Sequence, residues 1–295
     1  MSRFRTFRAP ALALTFGALS LSLASCGDDE GAEVTPGPVA VEDAGAEDGR
    51  VELPGSAEVG QTGSSAATID MRLGIEGGGG AEEVPVSVRL DYDAEVVEAD
   101  TAGYVVENTF TGAEVLDAPA GADFSVLEDL VGVRYRELFN PDGTSDDTEL
   151  VDEDQLTSAQ REAYEQFGSQ VESTAFDFPD EPVGVGARWT SVSTVEQQGF
   201  DLTVTYHYEL TALEGDRYTV EISYDEDIDD TFSVEGQDAD VTGSLEGGGT
   251  TTGIVGNPLA FETSLEQDLE MDIEADGQSL SMTMSVAVTV EPVPA

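Results

Sequence analysis

The sequence predicts a β-rich α+β fold: a large curved antiparallel sheet, open or closed into a half-barrel, with one or two helices packed on it. The first observation is a long hairpin near the C-terminus, in which every second position of two arms, 261–273 and 280–290, is apolar except for Thr263 and Gln267. The second is the pair Asp276-Gly277 between the arms, because Asp-Gly favours the positive φ angles of a tight hairpin turn. The third is arm length: about a dozen residues at about 3.3 Å each reach roughly 40 Å, which is typical of ribbons in a broad, curved sheet.

The N-terminal segment, residues 1–25, has the layout of a secretory leader, with a basic start, an apolar run over residues 9–23 and small residues before Cys26. This segment resembles the lipobox of bacterial lipoproteins, in which the cysteine after the cleavage site becomes the acylated, palmitate-bearing N-terminus. The resemblance implies that Cys26 is lipidated and that the protein is extracytoplasmic, anchored to the bacterial cell membrane by its acyl chains. The alternative is an ordinary secretory signal in which the cysteine is incidental.

The charge of the chain argues against one class of partner. The sequence has 62 Asp and Glu residues against 11 basic residues, all of them Arg, and a net charge of −51. Removal of the leader takes away three of these arginines and leaves a net charge of −54. Such a surface repels phosphate backbones and anionic headgroups, so we expect no nucleic-acid partner and no polybasic membrane patch. The acidity fits either solvation in a salty medium or a surface for divalent cations or cationic ligands.

Residues 26–60 are rich in Gly, Ala, Pro, Asp and Glu and have no sustained apolar period. A segment of low hydrophobicity and high like charge cannot bury enough surface to offset its chain entropy. We therefore predict a disordered acidic tether over residues 26–60, followed by a single β-rich domain over residues 61–295.

Strands, turns and one short helix are predicted in the first half of this domain. Residues 104–116 are expected to form a pair of strands folded at the Thr-Gly dipeptide 111–112. Asp123 is a candidate cap for a short helix over residues 124–130. A further strand then ends at the Asn-Pro-Asp-Gly turn at 140–143.

A longer helix and a meander follow. Thr157 opens a capping-box sequence, and apolar residues recur every fourth position as far as residue 175, which predicts a helix with a narrow apolar stripe lying on the sheet. The segments 189–195, 200–213 and 217–224 alternate apolar and polar residues, which predicts three consecutive antiparallel strands.

Three sequence features carry a family resemblance. They are a Leu-x-x-Leu-Val-Gly segment at 127–132, a Pro-Val-x-Val-Gly-x-x-Trp run that ends at Trp189, and a Gly-rich strand before the final hairpin. In this order they resemble a group of bacterial, actinobacterial-type lipoproteins of unknown function. In overall plan the chain is also similar to the LolA and LppX type of lipoprotein carriers, which implies a half-barrel sheet closed over by helices. This second likeness is one of layout and transfers no functional residue.

The residue inventory disfavours enzyme chemistry. His207 is the only histidine and no Gly-x-Ser-x-Gly elbow occurs, so we do not expect a catalytic triad or any other enzyme activity. One cysteine and one histidine cannot form a disulfide or a zinc site built on these residues, and we expect no cofactor. A weak calcium site stays open, because Asp225, Asp227 and Asp229 have the spacing of the first ligands of a Ca²⁺ loop.

Two functions remain after these exclusions. The first is a non-catalytic, membrane-anchored protein that binds or carries a hydrophobic ligand or lipid in the curve of the sheet. The candidate contacts for that ligand are Trp189, Tyr206, Tyr208, Phe261, Leu265, Met271, Met282 and Met284. The alternative is a structural or protein-interaction lipoprotein of the cell envelope with no small-molecule ligand. In both cases we expect a monomer.

Overall fold

A computed structural model describes residues 33–36, 39–53, 57–77, 80–140, 145–164, 177–197, 200–234, 237–275 and 278–293. These residues contain 13 strands joined in one antiparallel sheet. The strands are β1 (Glu33–Pro36), β2 (Ala40–Asp43), β3 (Thr62–Gly77), β4 (Gly80–Asp100), β5 (Gly103–Asp117), β6 (Arg134–Phe139), β7 (Ser145–Leu150), β8 (Arg188–Gln197), β9 (Phe200–Glu214), β10 (Arg217–Val234), β11 (Gln237–Ile254), β12 (Asn257–Ala275) and β13 (Gln278–Pro292). Their order across the sheet is β1-β8-β9-β10-β11-β12-β13-β3-β4-β5-β6-β7, and β2 also pairs with β8.

The predicted fold class, a β-rich α+β protein with a curved open sheet, is confirmed. The final hairpin has the predicted register, because β12 and β13 pair without interruption from Thr263–Val290 to Ala275–Gln278. Asp276 and Gly277 lie outside the described residues. The three meander strands are also present as β8, β9 and β10, but β10 runs ten residues beyond the predicted end at Tyr224, to Val234.

The sheet curls sharply near the C-terminal end of β13. Strands β3 and β12 lie on either side of β13, and a flat sheet would hold them about 10 Å apart. At this end, however, Gln61 Nε2 donates a hydrogen bond to the carbonyl oxygen of Gly256 at 2.7 Å. Leu259 of β12 also packs directly over Gly63 of β3. The curl therefore turns one face of the sheet inward.

Side chains alternate between a buried inner face and an exposed outer face, as expected for an antiparallel sheet that covers a core on one side. On β13, for example, Met284, Val286 and Val288 are buried, whereas Ser285 between them is exposed. The largest group of buried inner-face residues, which we call the main cluster, takes residues from β3 to β6 and from β9 to β13. A second group, the Trp189 cluster, lies on β8 to β10 and contains Leu53, Phe178, Val183, Ala187, Trp189, Tyr208, Leu210, Tyr218, Val220 and Ile222.

Two helices cover part of the main cluster. Helix α1 (Ser125–Asp129) buries Leu127, and the Oδ1 atom of Asp123 accepts the N–H of Ser125 at 3.0 Å. This bond lowers the pKa of the exposed Asp123 carboxyl. The described part of helix α2, residues 158–164, begins with the predicted capping box: Gln160 N–H donates to Thr157 Oγ1, and Thr157 N–H donates to Gln160 Oε1, both at 3.1 Å. The rest of that predicted helix lies outside the described residues.

The predicted turn at residues 111–112 is wrong. Strand β5 continues through this dipeptide, and its ladder with β4 is Asp91–Gly112 followed by Tyr92–Phe110. Thr111 is therefore the extra residue of a β-bulge, which bends the strand without ending it. A Thr-Gly pair is compatible with a turn and with a bulge, and pairing with β4 decides in favour of the bulge.

Part of the predicted tether, residues 33–36 and 39–53, instead contacts the sheet. In the N-terminal strap, as we call residues 33–36 and 39–53, both β1 and β2 pair with the edge strand β8. Val51 forms a bridge with Val183, and Leu53 is 2% exposed in the Trp189 cluster. The strap has too few apolar residues for a periodic pattern, but an unpaired sheet edge supplies the hydrogen bonds that an isolated acidic segment lacks.

In the part of the chain that the structure describes, no helix is long and apolar enough to cross a bilayer.

Candidate ligand site on the inner face

The sheet divides between β9 and β10. Their ladder ends at the pair His207–Ser223, and from there β9 stays paired only with β8, while β10 stays paired only with β11. At the branch, Glu226 Oε1 accepts the N–H of Thr205 at 2.8 Å, so a side chain takes the place of a neighbouring strand. We call this opening the β9–β10 fork.

An aromatic row runs along the inner face to the apex of this fork. Trp189 and Tyr208 are stacked with their ring centroids 5.4 Å apart and 3° between planes. Tyr206 follows at 6.5 Å from Tyr208, and the Tyr224 ring meets Tyr206 edge-on at 5.1 Å. The row therefore leads from the fully buried Trp189 to two tyrosines beside the opening.

Hydrogen bonds fix the polar ends of this row. Trp189 Nε1 donates to the carbonyl oxygen of Asp177 at 2.8 Å. The hydroxyls of Ser191 and Tyr208 are 3.2 Å apart. Tyr224 donates its hydroxyl proton to Gln267 Oε1 at 2.9 Å. These hydrogen bonds thus fix the orientation of the rings.

The tyrosine hydroxyls of the row are uncharged. Burial raises the pKa of Tyr206 to about 12, and the negative charge of Asp177 adds to this shift. Burial is also the main reason why the pKa values of Tyr208 and Tyr224 are raised. At any pH below about 10, the usual tyrosine value, these groups therefore act as neutral hydrogen-bonding groups.

The Nε2 atom of Gln267 is buried and has no hydrogen-bond partner. It is the one such side-chain nitrogen or oxygen in the described chain. Leaving such a group unpaired costs about 1–3 kcal/mol, so an unpaired buried donor in a native protein calls for an explanation. A ligand oxygen at this place would remove that cost.

The apolar surface around Gln267 is incompletely covered. Tyr206, Tyr224 and Leu265 each contact both the main cluster and the Trp189 cluster, yet all three are only half-buried. We call these three residues together with Gln267 the waist, because they lie between the two clusters. The waist combines apolar walls with one free donor, which is the composition of sites for small apolar ligands that carry a polar group.

Glycines in β11 allow the Tyr224 ring to occupy the waist. Tyr224 lies opposite Gly247, where a Cβ would stand 2.4 Å from the Tyr224 Cζ atom. Any other residue at position 247 would push this ring away. The positions 243, 247, 249 and 253 are all glycines and all have the same parity, so much of the inner face of β11 lacks side chains, although Leu245 and Thr251 of that parity are buried there.

The eight predicted ligand contacts are not all close together. Tyr206 and Leu265 lie in the waist, and Trp189 and Tyr208 belong to the adjoining aromatic row. Met271 pairs directly with Met282, and Met284 is two residues further on, so the methionines form one group. This group lies six residues along β12 from Leu265, about 20 Å, and Phe261 lies in the opposite direction, where it pairs with Gly253.

Sequence reasoning missed Tyr224 and Gln267 as site residues. The available sign was a break in the alternation of β12, where Gln267 occupies an inward position between Leu265 and Leu269. Tyr224 could not be related to it, because the two residues lie on strands separated by β11.

His207 lies on the outer face, as its polar register predicts. It lines a hollow of about 180 Å³ together with Arg188, Glu209, Glu221 and Ser223. Ser223 is the cross-strand partner of His207, so a nucleophile and a base are neighbours.

The three aspartates of the weak calcium site left open by the sequence do not form a loop. Asp225, Asp227 and Asp229 lie within strand β10, exposed on the outer face. A strand separates such positions by about 6.6 Å and points them in parallel, so they cannot converge on one ion. Among the described residues, no group of three or more His, Cys, Asp or Glu side chains is arranged to hold a metal.

A larger hollow, about 520 Å³, lies over the glycine-rich part of β11 on the outer face. Its floor is Gly247 to Gly249, and its walls include Asp225, Glu246, Glu266 and Asp268. The hollow is open to solvent and anionic, in contrast to the neutral waist on the opposite face.

Comparison with known proteins gives one family match. Residues 145–255 match a family of unknown function, DUF6263. The match runs from β7 to the end of β11, so it includes the aromatic row and the glycines but not Gln267. It covers less than half of the 295 residues and is a similarity to that family. No curated protein matches the chain.

Proposed function

We propose that this protein is a membrane-anchored extracytoplasmic lipoprotein that binds a hydrophobic ligand at the waist, without catalysing a reaction on it. The observation that carries the proposal is the buried, unpartnered Nε2 atom of Gln267 among half-buried apolar side chains. The ligand class follows from the surroundings: an apolar molecule, such as a lipid, with an uncharged acceptor oxygen, for example an ester or amide carbonyl.

Charge supports this choice of ligand. The waist tyrosines are neutral, and the carboxylates of β12 point from the outer face. A free fatty acid would bring a carboxylate into a protein with a strongly negative net charge and would find no cation among the waist residues. A neutral lipid meets no such penalty.

Native mass spectrometry of the full chain with Cys26→Ala, secreted and purified without detergent, tests the proposal. We expect a bound lipid-sized mass in addition to the protein, and about tenfold weaker retention in Gln267→Leu, because one hydrogen bond in an apolar site contributes about 1.4 kcal/mol. Gln155→Leu is the matched control, since Gln155 is exposed and is not a waist residue. A bare protein mass for the unsubstituted site, or equal retention in both glutamine variants, would contradict ligand binding at the waist.

The anchor has its own test. Replacing Cys26 with alanine is expected to move the protein from the membrane fraction to the medium, because it removes the acyl chains, which contribute about 0.8 kcal/mol per buried CH₂. Immunoblotting of fractionated cells measures this. Ser25→Ala keeps the cysteine and a small residue before it, so it should stay membrane-bound; retention of Cys26→Ala in the membrane would refute the anchor.

The acidic hollow favours a second candidate, a structural lipoprotein that contacts a basic partner of the envelope. Its volume of about 520 Å³ and its carboxylate walls suit an Arg- or Lys-bearing surface. The same mass spectrometry distinguishes the two functions, since the structural candidate predicts a bare mass and the carrier a lipid adduct.

A further inference from the structure

The N-terminal strap shortens the link to the membrane. If Cys26 carries the acyl chains, the anchored residue is followed by a described strand that begins at Glu33. Seven residue steps separate the two, and a fully extended chain of that length spans at most about 25 Å. A tether of 35 residues would allow the sheet to lie far from the bilayer, whereas this spacer keeps the start of β1 within about 25 Å of the anchored residue.

The spacer leaves the sheet at one defined place. Glu33 pairs with Glu196, one residue before the end of β8. Four hairpins close at this same end of the sheet, which we call the hairpin rim; their last pairs are Gly77–Gly80, Gln197–Phe200, Val234–Gln237 and Ala275–Gln278. The β9–β10 fork opens toward the hairpin rim, because the two strands are paired only at the opposite end.

The acidic residues Glu33, Glu196 and Asp201 are neighbours in the register at this point, but a few residues further along the outer face of β8 and β9 is less acidic than that of β12. Between Arg188 and Thr194, the outward positions of β8 carry no carboxylate, and neither do those of β9 from Thr203 to His207. On β12, by contrast, the outward series is acidic and exposed at positions 262, 266, 268, 270, 272 and 274. An anionic bilayer repels the second surface more strongly than the first.

We propose that the protein is oriented on the membrane, with the hairpin rim beside β8 and β9 facing the bilayer and the edge at β7 pointing away. This inference rests on the lipid anchor of the proposed function and adds an orientation to it. The fork and the methionine group around Met271 and Met282 then lie on the membrane side, from which an apolar ligand would enter the waist.

Energy transfer from the acylated full chain to a lipid dye tests the orientation. The anchored cysteine is blocked by acylation, so Thr203→Cys and Glu149→Cys each provide a single thiol for a donor fluorophore. Thr203 is exposed on β9 near the hairpin rim, and Glu149 is exposed on β7 at the far edge. In vesicles of phosphatidylethanolamine and phosphatidylglycerol with a headgroup acceptor dye, we expect transfer from position 203 to exceed that from position 149 about twofold or more, since the spacer reaches only about 25 Å.

A lengthened spacer is the control. Thirty Gly and Ser residues inserted after Gly27 add about 30 Å of root-mean-square length, so the ratio of the two transfers should fall toward one. Equal transfer in the original chain, or an unchanged ratio in the lengthened one, would overturn the orientation while leaving the anchor intact. Failure of the acylated chain to bind vesicles would overturn the anchor and the orientation together.

Discussion

Replacing Trp189 with alanine is expected to lower the free energy of unfolding by about 3–5 kcal/mol, the usual range when a buried Trp is truncated in a core. The indole is 1% exposed, stacks on Tyr208 and donates its N–H to Asp177. The cavity would not collapse easily, because the Tyr208 hydroxyl is held by Ser191. Urea unfolding followed by circular dichroism measures the change, since Trp189 is the only tryptophan and its fluorescence disappears with it.

Two further variants separate packing from hydrogen bonding. Trp189→Phe retains a ring against Tyr208 but loses the bond to Asp177, so we expect a smaller loss than for alanine, about 1–3 kcal/mol. Val185→Ala changes an exposed residue of the same segment and should alter stability by less than about 0.5 kcal/mol. If the alanine variant at 189 were as stable as that at 185, the Trp189 cluster would not be the core described here.

The alternation of apolar and polar residues carried most of the fold prediction. In β9 the positions of Leu202, Val204 and Leu210 were assigned to one face by parity alone, and all three are buried. Parity is reliable because a slip of one residue would bury the acidic set, at a high cost in desolvation. The hairpin registers could be predicted for the same reason, and also because the connections between consecutive strands are short.

The features that sequence reasoning missed depend on which elements become neighbours. The strap is acidic and aperiodic, and it becomes ordered only because β8 offers an open edge near Val183. The fork depends on where the β9–β10 ladder stops, which neither strand encodes alone. Gln267 visibly interrupts the apolar alternation of β12. Its role in the waist depends on Tyr224, which lies two strands away in the sheet and 43 residues away in the chain.

Four of the eight predicted ligand contacts lie in the waist or the aromatic row, whereas the other four lie elsewhere on the inner face. Met271 and Leu265 share a face of β12, which is all that parity can indicate. Distance along the strand then separates them into different parts of the inner face. A long strand therefore makes the face of each residue predictable, but leaves open which residues on that face act together.

Replacing Gly249 with valine is expected to have the largest effect on folding. A Cβ at this position would stand 2.0 Å from the carbonyl oxygen of Ser264 and 2.9 Å from the Cα of Leu265, and both are backbone atoms that no rotamer change can move. Strands β11 and β12 would have to separate in the middle of a ladder that runs from Asp240 to Gly253. We expect a loss of about 3 kcal/mol or more, or no accumulation of folded protein.

The matched control is Thr250→Val, one residue further along β11, where the side chain is exposed on the outer face and a branched residue is already present. Its stability should change by less than about 0.5 kcal/mol. Thermal unfolding of both variants, with the yield of soluble protein as a second measure, distinguishes the two positions. If Gly249→Val unfolded at the same temperature as the control, β11 and β12 would not approach each other as closely as the curled sheet requires. The waist, whose Leu265 and Gln267 are carried by β12, would then need a different geometry.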